Sequence, residues 1–197
     1  MKIKNVIFDL GGVVFARDHK KCSNEFLQFF SFVAKEGTPL FWDEYDRGTL
    51  SFDEVKDEVC RFRNCDRATC DAMVDEAINK QEEVACTKEL IAQLKDAGYK
   101  LYVLSNMSRE FIDFLRKLPV YRYFDGEVVS CEVNVIKPEP EIYRLLLSKY
   151  GLEPSESLFI DDRPVNIGAA DAMGIATLLF DNRNREASCG QLRKMLL

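Results

Sequence analysis

Histidine is nearly absent from this chain, and the one present, His19, excludes a centre that needs two imidazoles and a Ser-His-Asp triad with its histidine elsewhere. No CxxC pair occurs. The seven cysteines (Cys22, Cys60, Cys65, Cys70, Cys86, Cys131 and Cys189) are an odd, scattered set, which argues against both a disulfide framework and a zinc site. They read as reduced thiols that serve as small hydrophobes. With a net charge of −6 and no cluster of Lys and Arg, the chain lacks the electrostatic footprint of a nucleic-acid binder. Nor does any apolar run approach the roughly 20 residues that span a bilayer. The start lacks the longer apolar region of a secretory signal. A cytoplasmic protein with no membrane partner is the expectation.

What is present is organised around Val6-Ile7-Phe8-Asp9-Leu10-Gly11-Gly12-Val13-Val14. Residues 3–8 are rich in β-branched and aromatic side chains, as suits a strand covered on both faces in a parallel sheet. The run stops at a carboxylate. Two glycines follow close behind Asp9 and let the backbone bend tightly and approach a ligand. In open parallel sheets, ligands bind outside the carboxyl ends of the strands, so Asp9 is well placed for chemistry. A strand-end aspartate that merely caps a turn explains this stretch alone equally well.

Residues 15–85 change character, with amphipathic helical patterns over 25–33, 39–47, 51–62 and 68–78 and no strand pattern between them. Ser51 and Glu54 make a capping box at the third of these. From residue 87 strands and helices alternate: strands over 100–104, 126–130, 157–160 and 176–180, and helices over 88–97, 109–118, 139–150 and 166–173. The fold class is therefore α/β, a Rossmann-like parallel sheet covered by helices, with a helical-bundle cap inserted after the first strand. The core comprises residues 1–15 and 86–197 and the cap residues 16–85, with hinges near 15–19 and 83–88.

Three strands now end in polar residues at one edge: Asp9, then Ser105 and Asn106, then Asp161 and Asp162. Lys137 adds an ammonium, held in extended backbone by Pro138. Converging carboxylates and a backbone carbonyl make a hard oxygen site suited to Mg²⁺. A hydroxyl, an amide and an ammonium supply donors for phosphoryl oxygens. The set suits phosphoryl transfer, with Asp9 attacking phosphorus.

In the order FDLGG, LSN, IKPEPEIY and FIDDRPVNIGAA, with a helical cap between the first and second, the chain resembles a haloacid dehalogenase superfamily hydrolase over essentially all its length. The resemblance implies Asp9 as nucleophile and metal ligand, Gly11 as a metal ligand through its carbonyl, and Ser105 and Asn106 as phosphate binders. It implies Lys137 as the bridge between phosphate and nucleophile, Asp162 as a further metal ligand, Asp161 as a supporting or alternate one, and Asn166 as a holder of metal-bound water or of the loop. Phosphatases of the superfamily usually carry Asp-x-Asp, the second Asp being the acid/base, and here that position is Gly11. General acid–base help is worth roughly 10²–10⁴ in rate, so a slow enzyme rather than a dead one is expected. Asp18 or His19 from the hinge, a metal-bound water or a good leaving group could substitute.

DLGxV, RGTLSFDE and SN look most like the subgroup of bacterial α-D-glucose-1-phosphatase and the N-terminal domain of epoxide hydrolases. That resemblance implies a small phosphorylated metabolite as substrate, with sugar phosphates first. The alternatives are a pseudo-enzyme that only binds a phosphorylated ligand, and a metal-independent dehalogenase. Phe15, Asp18, Phe41, Trp42, Tyr45 and Arg47 of the cap are candidates to face the site, with Met107 and Arg163 beside the motifs.

Overall fold

Alternate residues of the first strand face two different hydrophobic cores, which is why its sequence shows no polar alternation: Val6 and Phe8 lie in one, Ile7 in the other. The computed structural model describes residues 2–33 and 38–197. The chain runs β1 (Asn5–Phe8), β2 (Phe15–Ala16), α1 (Asn24–Phe29), α2 (Leu40–Arg47), α3 (Phe52–Arg63), α4 (Arg67–Asn79), β3 (Glu82–Glu83), α5 (Ala85–Asp96), β4 (Lys100–Ser105), α6 (Arg109–Leu115) and β5 (Gly126–Val129), and then α7 (Ser130–Val133), α8 (Pro140–Tyr150), β6 (Ser157–Asp161), α9 (Pro164–Ala172), β7 (Ala176–Leu179) and α10 (Arg185–Leu196). The five longer strands form one sheet in the order β5-β4-β1-β6-β7, and every neighbouring pair is parallel. This is the Rossmann-like α/β architecture expected.

The two faces are covered by different helices. Leu90, Ile91 and Leu94 of α5, Ile112 of α6 and Leu192 of α10 pack on Val6, Val103 and Ile160. Ile142, Tyr143 and Leu146 of α8 and Ala170 of α9 pack on Ile7, Leu104 and Phe159. With β1 central and all strands pointing one way, the residues that follow β1, β4 and β6 emerge together at one edge.

Helices α1–α4 build a third cluster of their own around Phe26, Trp42, Val55, Val59 and Val74, into which Phe111 of α6 also reaches. The capping box of α3 forms as expected: the Glu54 carboxylate accepts from the Ser51 N–H at 2.8 Å, and the Ser51 hydroxyl accepts from the Glu54 N–H at 3.3 Å.

Several expectations change. The helix anticipated over 25–33 ends at Phe29, because Phe30 turns out of helical dihedrals (φ −97°, ψ 15°) and packs edge-on against Phe29 and Trp42. The two hinges, read as free of strand, pair as an antiparallel ribbon, Phe15 opposite Glu83 and Ala16 opposite Glu82. Two residues are too few to show alternation, so only tertiary pairing reveals this ribbon. Ser130 opens the short helix α7 instead of closing a strand. Beyond β7 the chain continues into α10, whose apolar face is interrupted by Ser188 and Gly190, leaving little periodic signal.

Candidate active site

Lys137 reaches the carboxyl edge of the sheet from the loop between α7 and α8, and its ammonium meets three acceptors. Its Nζ lies 2.8 Å from Asp9 Oδ1, 2.6 Å from Asp161 Oδ2 and 2.9 Å from the Leu104 carbonyl. An ammonium has three protons, and all three are used. Lys137 is 3% exposed and Asp161 fully buried, so this triad is a buried ion cluster rather than a surface pair.

Each partner is held in turn. Asp161 Oδ1 accepts from the Arg163 N–H at 2.8 Å, and the Asn166 amide donates to both Asp161 oxygens at 3.0 and 3.1 Å. Asn166 therefore fixes Asp161, and its own carbonyl accepts from the Tyr143 hydroxyl at 3.0 Å. The Asn106 side chain grips the Lys137 backbone at two points, accepting from its N–H at 2.7 Å and donating to its carbonyl at 2.9 Å. The Asn106 side chain thereby places the lysine, using its oxygen and one of its two amide protons. Ser105 ends β4 fully buried, and its hydroxyl has no hydrogen-bond partner among the described residues. A buried hydroxyl without a partner costs free energy unless something else meets it.

The carboxylates gather close by. Asp9, Asp161 and Asp162 each offer an oxygen, and those atoms lie within 4.8 Å of one another. Asp162 Oδ2 accepts from Asn182 Nδ2 at 2.7 Å. Gly12 lies against this carboxylate: its φ is +79°, and a Cβ there would stand 2.5 Å from Asp162 Oδ2. Only glycine is tolerated at that point. At Gly11, by contrast, an added Cβ would meet nothing within 4 Å among the described residues. The position where a second carboxylate is expected opens onto free space.

Burial drives the Asp9 carboxyl up to about 7; Lys137 opposes this, and Asp161 and Asp162 add to it. Burial and Asp161 raise Asp162 as well. Burial works against the charge on Lys137, yet Asp161 and Asp9 together hold its proton more tightly than usual. Three carboxylates against one ammonium leave negative charge in excess. An all-oxygen donor set of this kind suits a hard divalent cation.

Not every candidate arrives at the site. Asp18 accepts from the Lys20 N–H at 3.0 Å and is exposed with His19 in a short turn. Phe15 is buried in the core, and Phe41 and Trp42 pack within the cap cluster. Tyr45 donates to Glu110 at 2.6 Å, and Arg47 pairs with both oxygens of Glu139 at 2.6 and 3.0 Å. These two side chains tie the cap to the core. Met107 packs between core and cap, and Arg163 stays exposed. Asn182 was not anticipated. It follows β7 at the same edge, so asking what ends the last strand would have found it.

The haloacid dehalogenase-like hydrolase family matches residues 3–174 of the chain. A sesquiterpene phosphatase from Aspergillus oryzae is 25% identical over 195 residues, covering 98% of this chain and 96% of that protein. A D-ribitol-5-phosphate phosphatase from Bacteroides thetaiotaomicron is 29% identical over 198 residues, covering 91% and 93%. Other relatives are longer, and the chain spans 58% of one and 10% of another. Among solved structures, a haloacid dehalogenase family enzyme from Bacteroides thetaiotaomicron, in complex with magnesium and inorganic phosphate, aligns with a TM-score of 0.72 at 25% identity over 91% of this chain and 95% of that one.

Proposed function

Because the chain belongs to the haloacid dehalogenase-like hydrolase family, we propose that it is a Mg²⁺-dependent phosphatase that hydrolyses a small phosphorylated metabolite, a sugar or polyol phosphate first, through an aspartyl phosphate on Asp9. One observation carries the reading: a buried lysine bridges Asp9 and Asp161 beside a buried serine hydroxyl that has no partner among the described residues, at the edge where three strands end. The full-length likeness to a ribitol-phosphate phosphatase supports the substrate class.

The roles follow from the contacts. Asp9 attacks phosphorus through its carboxylate, while Lys137 holds one oxygen of that carboxylate and places positive charge beside the transferring group. Ser105 donates its hydroxyl to a phosphoryl oxygen, the partner that hydroxyl lacks among the described residues. Asn106 and Asp161 position the lysine at its backbone and at its ammonium. Asp9, Asp162 and the Gly11 carbonyl would hold Mg²⁺, with Asp161 as the alternate ligand. The bound cation would offset the excess negative charge of carboxylates and phosphate. Residues 16–85 act as the cap that selects substrate, on a core formed by residues 1–15 and 86–197; Met1 and residues 34–37 fall outside the described residues.

Phosphate release from sugar phosphates, nucleotides and an aryl phosphate, with Mg²⁺ or with EDTA, tests this directly. Release that requires Mg²⁺ and is lost in Asp9→Asn is the expected result. Release in EDTA equal to that in Mg²⁺ would end the metal-dependent reading. Silence on every substrate would favour a protein that binds a phosphorylated ligand without turning it over, the reading that the bare Gly11 favours.

A further inference from the structure

The two carboxylates at the end of β6 are held in different ways. Asp161 receives four hydrogen bonds: from Lys137 at 2.6 Å, from the Arg163 N–H at 2.8 Å, and from the Asn166 amide at 3.0 and 3.1 Å. A carboxylate has about four lone-pair sites, so Asp161 is fully engaged. Asp162, the next residue, receives one side-chain hydrogen bond among the described residues, from Asn182 Nδ2 to its Oδ2 at 2.7 Å. Lone pairs of Asp162 therefore remain for a cation, and its orientation hangs on a single donor.

Asn182 reaches that carboxylate from a turn with little freedom. The Phe180 N–H donates to the Asp161 carbonyl at 2.9 Å, so the chain leaving β7 runs beside the chain leaving β6. Asp181 then closes the turn. Its N–H donates to the Ser188 hydroxyl at 2.9 Å, its carboxylate accepts from the Arg183 N–H at 2.9 Å, and its carbonyl accepts from the Asn184 N–H at 3.1 Å. Ser188 belongs to α10, whose Cys189 and Leu192 are buried in the core. Gly12 stands against the same Asp162 oxygen: a Cβ there would lie 2.5 Å from Oδ2, 3.2 Å from Asp162 Cγ and 3.5 Å from Asn182 Nδ2. The carboxylate thus lies against the bare backbone after β1 and the amide after β7.

We propose that Asn182 is a positioning residue that sets the affinity of the site for Mg²⁺ by fixing Asp162. The proposal rests on the metal-dependent phosphatase reading. Asn182 acts through Asp162 and not on phosphorus. An ionised carboxylate only accepts, so the amide meets it with an N–H. A ligand already ordered before the cation arrives loses less freedom on binding it. Partners that orient a metal ligand in this way are worth roughly 10–100-fold in metal affinity. A neutral amide also suits this place better than an ammonium, because it orients the anion and leaves its whole charge to attract the cation. The strand end thereby divides its work: Asp161 is spent on Lys137 and Asn166, and Asp162 is kept open and aimed.

Titration calorimetry of the full chain with Mg²⁺ alone tests this, together with phosphate release from ribitol 5-phosphate and p-nitrophenyl phosphate across Mg²⁺ concentrations. Asn182→Ala should weaken Mg²⁺ binding by roughly 10–100-fold. It should raise the Mg²⁺ concentration for half-maximal release in parallel, and leave kcat at saturating Mg²⁺ nearly unchanged. Asn182 is exposed, so its urea midpoint should stay that of the wild type. Asn184→Ala is the control for a loosened turn, since Asn184 accepts from the Ala187 N–H at 3.4 Å and does not bond Asp162; its Mg²⁺ affinity should match the wild type. An affinity of Asn182→Ala within about twofold of wild type, or an equal loss in Asn184→Ala, would overturn the proposal. If the wild type binds Mg²⁺ and releases phosphate while Asn182→Ala binds Mg²⁺ equally well, only this proposal falls. If the wild type binds no Mg²⁺, the metal-dependent reading falls with it. Weakened binding in Asn182→Ala beside a wild type that turns over neither substrate would uphold the positioning role and count against the phosphatase reading.

Discussion

The core edge and the cap seam are both held by ion pairs, but of opposite kinds. At the core edge Lys137 and Asp161 are almost wholly out of water, and every proton of the ammonium has an acceptor. At the seam, Arg47 and Glu139 are 22% and 38% exposed and lean on water as well as on each other. Removing one member of a buried, fully bonded cluster strands the others without compensation, whereas an exposed pair is screened and nearly neutral. Buried charge fixes the strand-end edge, whereas the α2 seam is held by contacts that cost little to break.

The comparison breaks most sharply at Lys137. Lys137→Ala leaves Asp9 and Asp161 facing each other without a cation and should cost about 3–5 kcal/mol of stability. Phosphate release should also vanish. Urea denaturation at neutral pH checks the first, and a stability change below about 1 kcal/mol would show that the triad is not the closed cluster described.

A middle-sized effect concerns pH. Asp9 and Asp46 are raised from the ordinary 3.8 to about 7, so the folded protein keeps protons that the unfolded chain releases above about 4. Their contribution is complete below the unfolded value and lost as pH rises through the folded one. Without metal, Tm should therefore fall between about pH 4 and 7, and Mg²⁺ should reduce the fall by stabilising the Asp9 anion. Calorimetry in EDTA and in Mg²⁺ reads both, and a Tm in EDTA that is flat over that interval would contradict the buried-carboxylate picture.

The smallest effect belongs to the seam. Arg47→Ala should cost less than about 1 kcal/mol in stability, since solvent already screens the pair. It should instead raise KM severalfold, with a smaller loss in kcat. A loss of stability as large as that at Lys137 would erase the distinction between the two regions.

Much of the edge was legible because strand ends announce themselves locally. The apolar runs 3–8, 100–104 and 157–160 each stop at a polar residue, and the structure brings Asp9, Ser105, Asp161 and Asp162 together. The capping box at Ser51 was legible for the same reason, since both its partners lie within one turn. Asn106 was legible as an edge residue, but its partner, the Lys137 backbone 31 residues further on, was not. The β2–β3 ribbon escaped notice because its significance lies in pairing between distant segments.

By itself the sequence determined the α/β class, the inserted helical unit and the set of residues at the carboxyl edge, because hydrophobic periodicity and strand-end polarity are properties of adjacent residues. Tertiary structure alone decided which of those residues spend their hydrogen bonds on one another and which face open space. It tied Asn106 to Lys137 and Asn166 to Asp161, and left the Ser105 hydroxyl without a partner among the described residues. Hydrogen bonds and charge–charge effects act through space over a few ångströms, and no spacing along the chain records which distant side chain will arrive within that reach.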